Sequence, residues 1–110
     1  MSDQHQVEEP IVSELLRDDS SFADLVCQFV DGLSERLETM LQAIHTQDFE
    51  QLLTAAHQLK GSGGGYGYPV LTQLAAELEQ KARANSLEGC QAALAEIERT
   101  CARVVVGSEA

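Results

Sequence analysis

Apolar residues recur at steps of three and four along most of this chain, a rhythm that admits little besides packed helices. Phe22, Val26, Phe29, Leu33, Leu37, Met40/Leu41 and Ile44 keep that step to about His45, which predicts one long amphipathic helix. Phe49, Leu52, Leu53, Ala56 and Leu59 mark the buried face of a further helix, with Asp48 and Gln51 resembling a capping box at its start. Leu71, Leu74/Ala75, Leu78 and Ala82 give another behind Pro69. Leu87, Cys90, Leu94, Ile97, Cys101 and Val104 give the last, capped by Asn85 or Ser86. Ahead of these, Pro10 opens the short stretch PIVSELLRDD, and Ser20 and Ser21 can cap the helix that follows. Period two shows only in RVVVG near the end. The expected fold is all-α: an antiparallel up-down four-helix bundle with a short N-terminal helix. It should span residues 10–106, between a flexible tail at 1–9 and a loose one at 107–110.

The totals agree and narrow the function. With 110 residues there is room for one core, and with 5% aromatics and no tryptophan that core must be mostly Leu, Ala, Val and Ile. A net charge of -11 should repel nucleic acid and anionic membranes, and gives no reason to expect more than a monomer. Cys27, Cys90 and Cys101 lack C-x-x-C spacing and fall at apolar positions of the helical pattern. They read as reduced core residues. The acidic, polar start suits no signal peptide, and no apolar run reaches the length of a membrane span. A cytoplasmic protein is expected.

One stretch does not fit a plain bundle. In AAHQLKGSGGGYGYP, Ala55 to Pro69, five of the eight glycines fall between Gly61 and Gly67. A Walker-type loop needs a lysine just after its glycines, whereas Lys60 precedes these. A dinucleotide fingerprint started at Gly61 or Gly63 ends on Tyr66 or Tyr68, where it needs glycine. Neither follows a strand, so a nucleotide loop is excluded.

His57 explains the stretch better. It lies on the flank of the stripe formed by Phe49, Leu52, Ala56 and Leu59. Gly61 and Gly64, four and seven residues on, share its strip of helix surface. Helical glycine costs about 1 kcal/mol relative to alanine, so two of them beside one imidazole suit a surface that something must approach closely. The alternative is that the helix ends at Gly61, an ordinary C-terminal cap. Lys60 is also adjacent; it favours a neutral, nucleophilic imidazole and can pair with an anion placed there. From Gln51 to Ala76 there is no Asp or Glu, an acid-free zone that would spare a phosphoryl group from repulsion.

These residues resemble the signature of the histidine-containing phosphotransfer (HPt) domain: H-x-L-K-G-[SA], a second glycine ten residues after the histidine, then spaced leucines ending in L-E. Here they are His57, Leu59, Lys60, Gly61, Ser62, Gly67, Leu71, Leu74, Leu78 and Glu79. The resemblance implies an antiparallel four-helix bundle that accepts a phosphoryl group from a receiver aspartyl-phosphate and passes it to another receiver. By that likeness His57 is the nucleophile, Lys60 steadies the phosphoryl charge, Gly61 leaves room for docking, and Gly67 allows a tight turn or close helix contact. Gln58 and Tyr66 are candidates for the docking patch, with Gly64 on the exposed strip. The likeness also implies that the helix runs on past Lys60, leaving its end to be found within Gly63–Gly65.

It implies no kinase activity, no metal and no cofactor of the chain's own, with Mg²⁺ supplied by the receiver. Response-regulator receiver domains and a hybrid sensor histidine kinase are the expected partners. A di-iron bundle is disfavoured, because Ser2, Gln42 and Thr54 stand three before His5, His45 and His57, where such a site needs glutamate. A non-catalytic HPt-like adaptor that binds a receiver or kinase is the alternative, and the presence of His57 weighs against it. A further variant is the phosphotransfer domain of a chemotaxis-type kinase, excised from a longer chain; Met1 and the loose C-terminal tail suit a free-standing protein or such an excised piece alike.

Overall fold

The computed structural model describes residues 9–107. Among them the chain forms α1 (Glu14–Asp18), a 3₁₀ turn (Ser20–Phe22), α2 (Ala23–Asp31), α3 (Leu33–His45), α4 (Phe49–Gly65), α5 (Pro69–Arg83) and α6 (Leu87–Cys101). α4 packs most closely on α5, α5 packs on α6, and α3 closes the ring by touching both α4 and α6. Enclosed between them lie Val26, Met40, Leu52, Leu59, Leu71, Leu78, Leu94 and Ile97, all buried. Burial of each such side chain stabilises by roughly 1.5–3 kcal/mol, so this apolar interior is the main favourable term. Gly63 lets α4 and α5 approach closely, since a Cβ there would stand 2.9 Å from Leu71 Cβ.

The connections are short because each ends one helix and starts the next within a few residues. Gln47, Gly67 and Asn85 have positive φ, at 56°, 95° and 56°. Each donates its amide three residues back, and the following residue donates five back: Gln47 to Ile44 and Asp48 to Ala43, Gly67 to Gly64 and Tyr68 to Gly63, Asn85 to Ala82 and Ser86 to Lys81. That is the Schellman closure, which satisfies carbonyls a helix end leaves open. Asp48 and Ser86 then cap the new helices by accepting from the amides of Gln51 and Gly89, both at 3.0 Å. Pro69 starts α5, where its missing N–H costs nothing.

Four expectations need correcting. The long second helix is two, α2 and α3, separated at Gly32, whose amide bonds to both Gln28 O and Phe29 O at 3.1 Å. A tighter turn at a glycine breaks the regular ladder there, and Phe22 at the start is exposed. Pro10 does not open the first helix. Ser13 caps it, Asp19 rather than Ser20 or Ser21 caps the turn after it, and the chain near Pro10 is extended. There Ile11 forms a parallel bridge to Val104, donating to Arg103 O and accepting from Val105 N–H. Finally, Cys27 is exposed rather than in the core. Cys90 is buried, and Cys101 is half-buried with its thiol pushed up to about 11, chiefly by burial. The flexible tail expected at 1–9 lies outside the described residues except Glu9, whose carbonyl accepts from Arg103 Nε. The tail expected at 107–110 lies outside them except Gly107.

Two aromatic contacts tie α2 to the α4–α5 turn. Phe29 stacks against Tyr66 and Tyr68, with ring centroids 4.9 and 5.9 Å apart. The fully buried Tyr68 donates its hydroxyl to Val105 O at 2.6 Å, and burial pushes that hydroxyl up to about 12. α1 docks on the same turn, with Ser13 Oγ donating to Tyr66 O and the Glu14 amide to Gly67 O.

Candidate functional site: a histidine on a buried carboxylate

α4 starts at its Asp48 cap and buries Leu52, Ala56, Leu59 and Gly63. That seat turns His57 outward, with 68% of its side chain exposed. Lys60, one turn on, leans toward α5. The helix does not stop at Gly61: it runs through Gly63 and Gly64 to Gly65 and closes on Tyr66 and Gly67. The glycine run is therefore the last turn and a half of α4.

The residue that organises the site is Glu79 of α5. Its carboxylate is only 8% exposed and meets three cations or donors. Lys60 Nζ stands 2.7 Å from Oε1, His57 Nδ1 stands 3.0 Å from Oε2, and the Arg83 guanidinium reaches Oε2 at 3.4 Å from one turn along α5. The hydrogen bond from Lys60, followed by the one from His57, outweighs desolvation and holds the Glu79 carboxyl down to about 2. An ionised carboxylate only accepts hydrogen bonds, so Nδ1 carries the proton donated to Glu79. In the neutral form of such a ring the lone pair lies on Nε2. A buried acid this close corrects the expectation of an acid-free surround. The gap between Gln51 and Ala76 is real in the sequence, but the fold brings Glu79 beneath the imidazole from 22 residues away.

The other singled-out residues have distinct places. A Cβ at Gly61 would meet nothing within 4 Å, so that position is open surface beside His57. Gly64 is exposed as well, yet a Cβ there would stand 3.1 Å from Thr72 Oγ1, so its bareness also serves the α4–α5 contact. Gly67 has positive φ, and a Cβ would collide with Ser13 Oγ and with the amides of Glu14 and Leu15. It is the seat of α1 as well as the turn. Gln58 is exposed and lines a shallow groove with Gly32, Glu35, Arg36 and Thr39 of the neighbouring α3 region. Tyr66 is not a free surface residue: it is half-buried and stacked on Phe29.

Sequence reasoning had Glu79 only as the last letter of a motif. The available signal was a glutamate at a core-facing position, next to Leu78 and four after Ala75, in an otherwise apolar stripe. Among the described residues no His, Cys, Asp and Glu side chains group as a metal site, and no helix is long and apolar enough to cross a membrane.

The model of the Hpt domain family matches residues 24–106, which takes in α2 to α6 and every residue of the site. No curated protein and no solved structure gives a significant match. The chain belongs to the Hpt domain family, whose members carry phosphoryl groups in two-component phosphorelays, work with receiver domains and histidine kinases, and are not themselves kinases.

Proposed function

We propose that the chain accepts a phosphoryl group on His57 from the aspartyl-phosphate of a receiver domain and passes it to a second receiver. The observation that carries this is an exposed imidazole whose inner nitrogen is held by a buried carboxylate shared with a lysine. The Nε2 lone pair attacks phosphorus in line. The N–P bond forms as the bond to the aspartyl oxygen breaks, and the receiver regains its carboxylate. The ring becomes cationic while Nδ1 keeps its proton, and Glu79 faces that new charge. Lys60 has three donors, so it can keep Glu79 and still offer an N–H to the phosphoryl oxygens.

We read the ring of α3 to α6, with its short connections, as an antiparallel up-down four-helix bundle in which α1 is an added N-terminal helix. Gly61 clears the approach of the receiver, and Gln58 with the groove toward α3 borders the docking face. Mg²⁺ comes with the receiver. The carrier works in the cytoplasm as a monomer, between receivers that include one from a hybrid sensor kinase. An adaptor that only binds would need no lone pair aimed at solvent, so the ordered imidazole favours a carrier.

The test is to load ¹⁵N-histidine-labelled protein from a phosphorylated receiver domain and find the modified nitrogen by long-range ¹H–¹⁵N correlation. Phosphorus on His57 Nε2 is expected. Phosphorus on Nδ1, or on another residue, would overturn this reading.

A further inference from the structure

α4 keeps its helical form through Gly61, Gly63, Gly64 and Gly65, although glycine is the weakest helix former after proline. Something outside the helix must compensate, and Thr72 of α5 is placed to do so. Its hydroxyl donates to Lys60 O at 2.7 Å and accepts from Gly64 N–H at 2.8 Å. Those are the two groups, four residues apart, that an α-helix pairs with each other. One side chain thus bridges a rung of the ladder, and it uses both halves of its hydroxyl. The approach requires bare backbone. A Cβ at Gly63 would stand 2.9 Å from Leu71 Cβ and 3.1 Å from Thr72 N, and one at Gly64 3.1 Å from Thr72 Oγ1.

The carbonyl held in this way belongs to Lys60, the residue whose ammonium sits on Glu79 beneath His57. We propose that Thr72 is a positioning residue for phosphoryl transfer: its hydroxyl fastens the glycine-rich end of α4 and so sets Lys60 beside His57. Without it the glycine turns open from Gly65 backward, and Lys60 is the first charged residue they release. The inference rests on the carrier reading above and adds a residue that touches neither phosphate nor imidazole.

The test compares Thr72→Val, which keeps the shape and loses the hydroxyl, with Thr72→Ser, which keeps the hydroxyl. Phosphoryl transfer from an acetyl-phosphate-charged receiver domain should slow about tenfold in Thr72→Val, roughly what the net loss of a hydrogen bond converts to. Thr72→Ser should stay near the parent, and Gly64 amide exchange should quicken in Thr72→Val alone. The deciding arm is Lys60→Ala. If Thr72 acts through Lys60, then Thr72→Val slows Lys60→Ala no further. Should Thr72→Val not fold, Thr72→Ala takes its place in every comparison. Losses that add, or a Thr72→Val that keeps pace with the parent, overturn this inference alone. A parent that takes no phosphoryl group overturns the carrier reading and this inference with it.

Discussion

Two glycines on either side of the α4 end do opposite things, and substituting each by alanine separates them. Gly61 is helical and faces open space, so Gly61→Ala should stabilise the chain by about 1 kcal/mol. If the bare surface serves docking, the same variant should transfer phosphoryl more slowly. Thermal melts together with transfer rates check the pair, and a variant that is both more stable and equally fast would remove the docking role. Gly67 sits at φ 95° with the start of α1 pressed against it. Gly67→Ala should cost at least ~1–3 kcal/mol for the backbone alone, read as a lower urea midpoint. Glu79 shows why site residues hide in a sequence. His57 and Lys60 were legible because three residues along a helix make neighbours. Glu79 becomes their neighbour only when α4 lies on α5, and a search for acids near His57 in the sequence stops short of it.

At the scale of elements, the helices with long apolar stripes were legible and those set by tertiary contact were not. α6 follows its three-and-four stepping as far as Cys101 but not to Val104, which leaves the helix for the bridge to Ile11; α5 starts at its proline, and α4 starts behind its Asp48 cap. The first helix does not start at Pro10, because Ser13 is fixed by its bond to Tyr66 O and the Glu14 amide by Gly67 O. Those partners are more than fifty residues away. The end of α4 was open for a related reason. Propensity alone ends a helix at Gly61, whereas Thr72 and the closure on Gly67 carry it to Gly65. The joint between α4 and α5 also predicts a pH dependence. Glu79 is held down to about 2 from an ordinary 4.5. A lowered folded pKa gives stability that is fully present above the ordinary value and lost as pH falls toward the folded one. The parent should therefore weaken between about pH 5 and about pH 2 more steeply than Glu79→Gln in urea titrations. Equal slopes would mean that the carboxylate is not held by Lys60 and His57.

For the whole molecule, the proposed division of labour is between a ring of helices and one imidazole nitrogen on its surface. The helical fold class was legible from apolar spacing and composition, and the family from a motif running from His57 to Glu79. The terminal bridge between Ile11 and Val104 was not, since it joins opposite ends of the chain, and the α2–α3 break at Gly32 was hidden because the apolar stepping runs on across it. On the proposed reading, a molecule built this way holds a phosphoryl group in transit. The most direct measurement incubates the chain with a ³²P-charged receiver domain and follows label on the parent and on His57→Gln. The parent should take up label that is labile in acid and stable in base, then surrender it to a second receiver, while His57→Gln takes none. Equal labelling of His57→Gln would contradict the account at its centre.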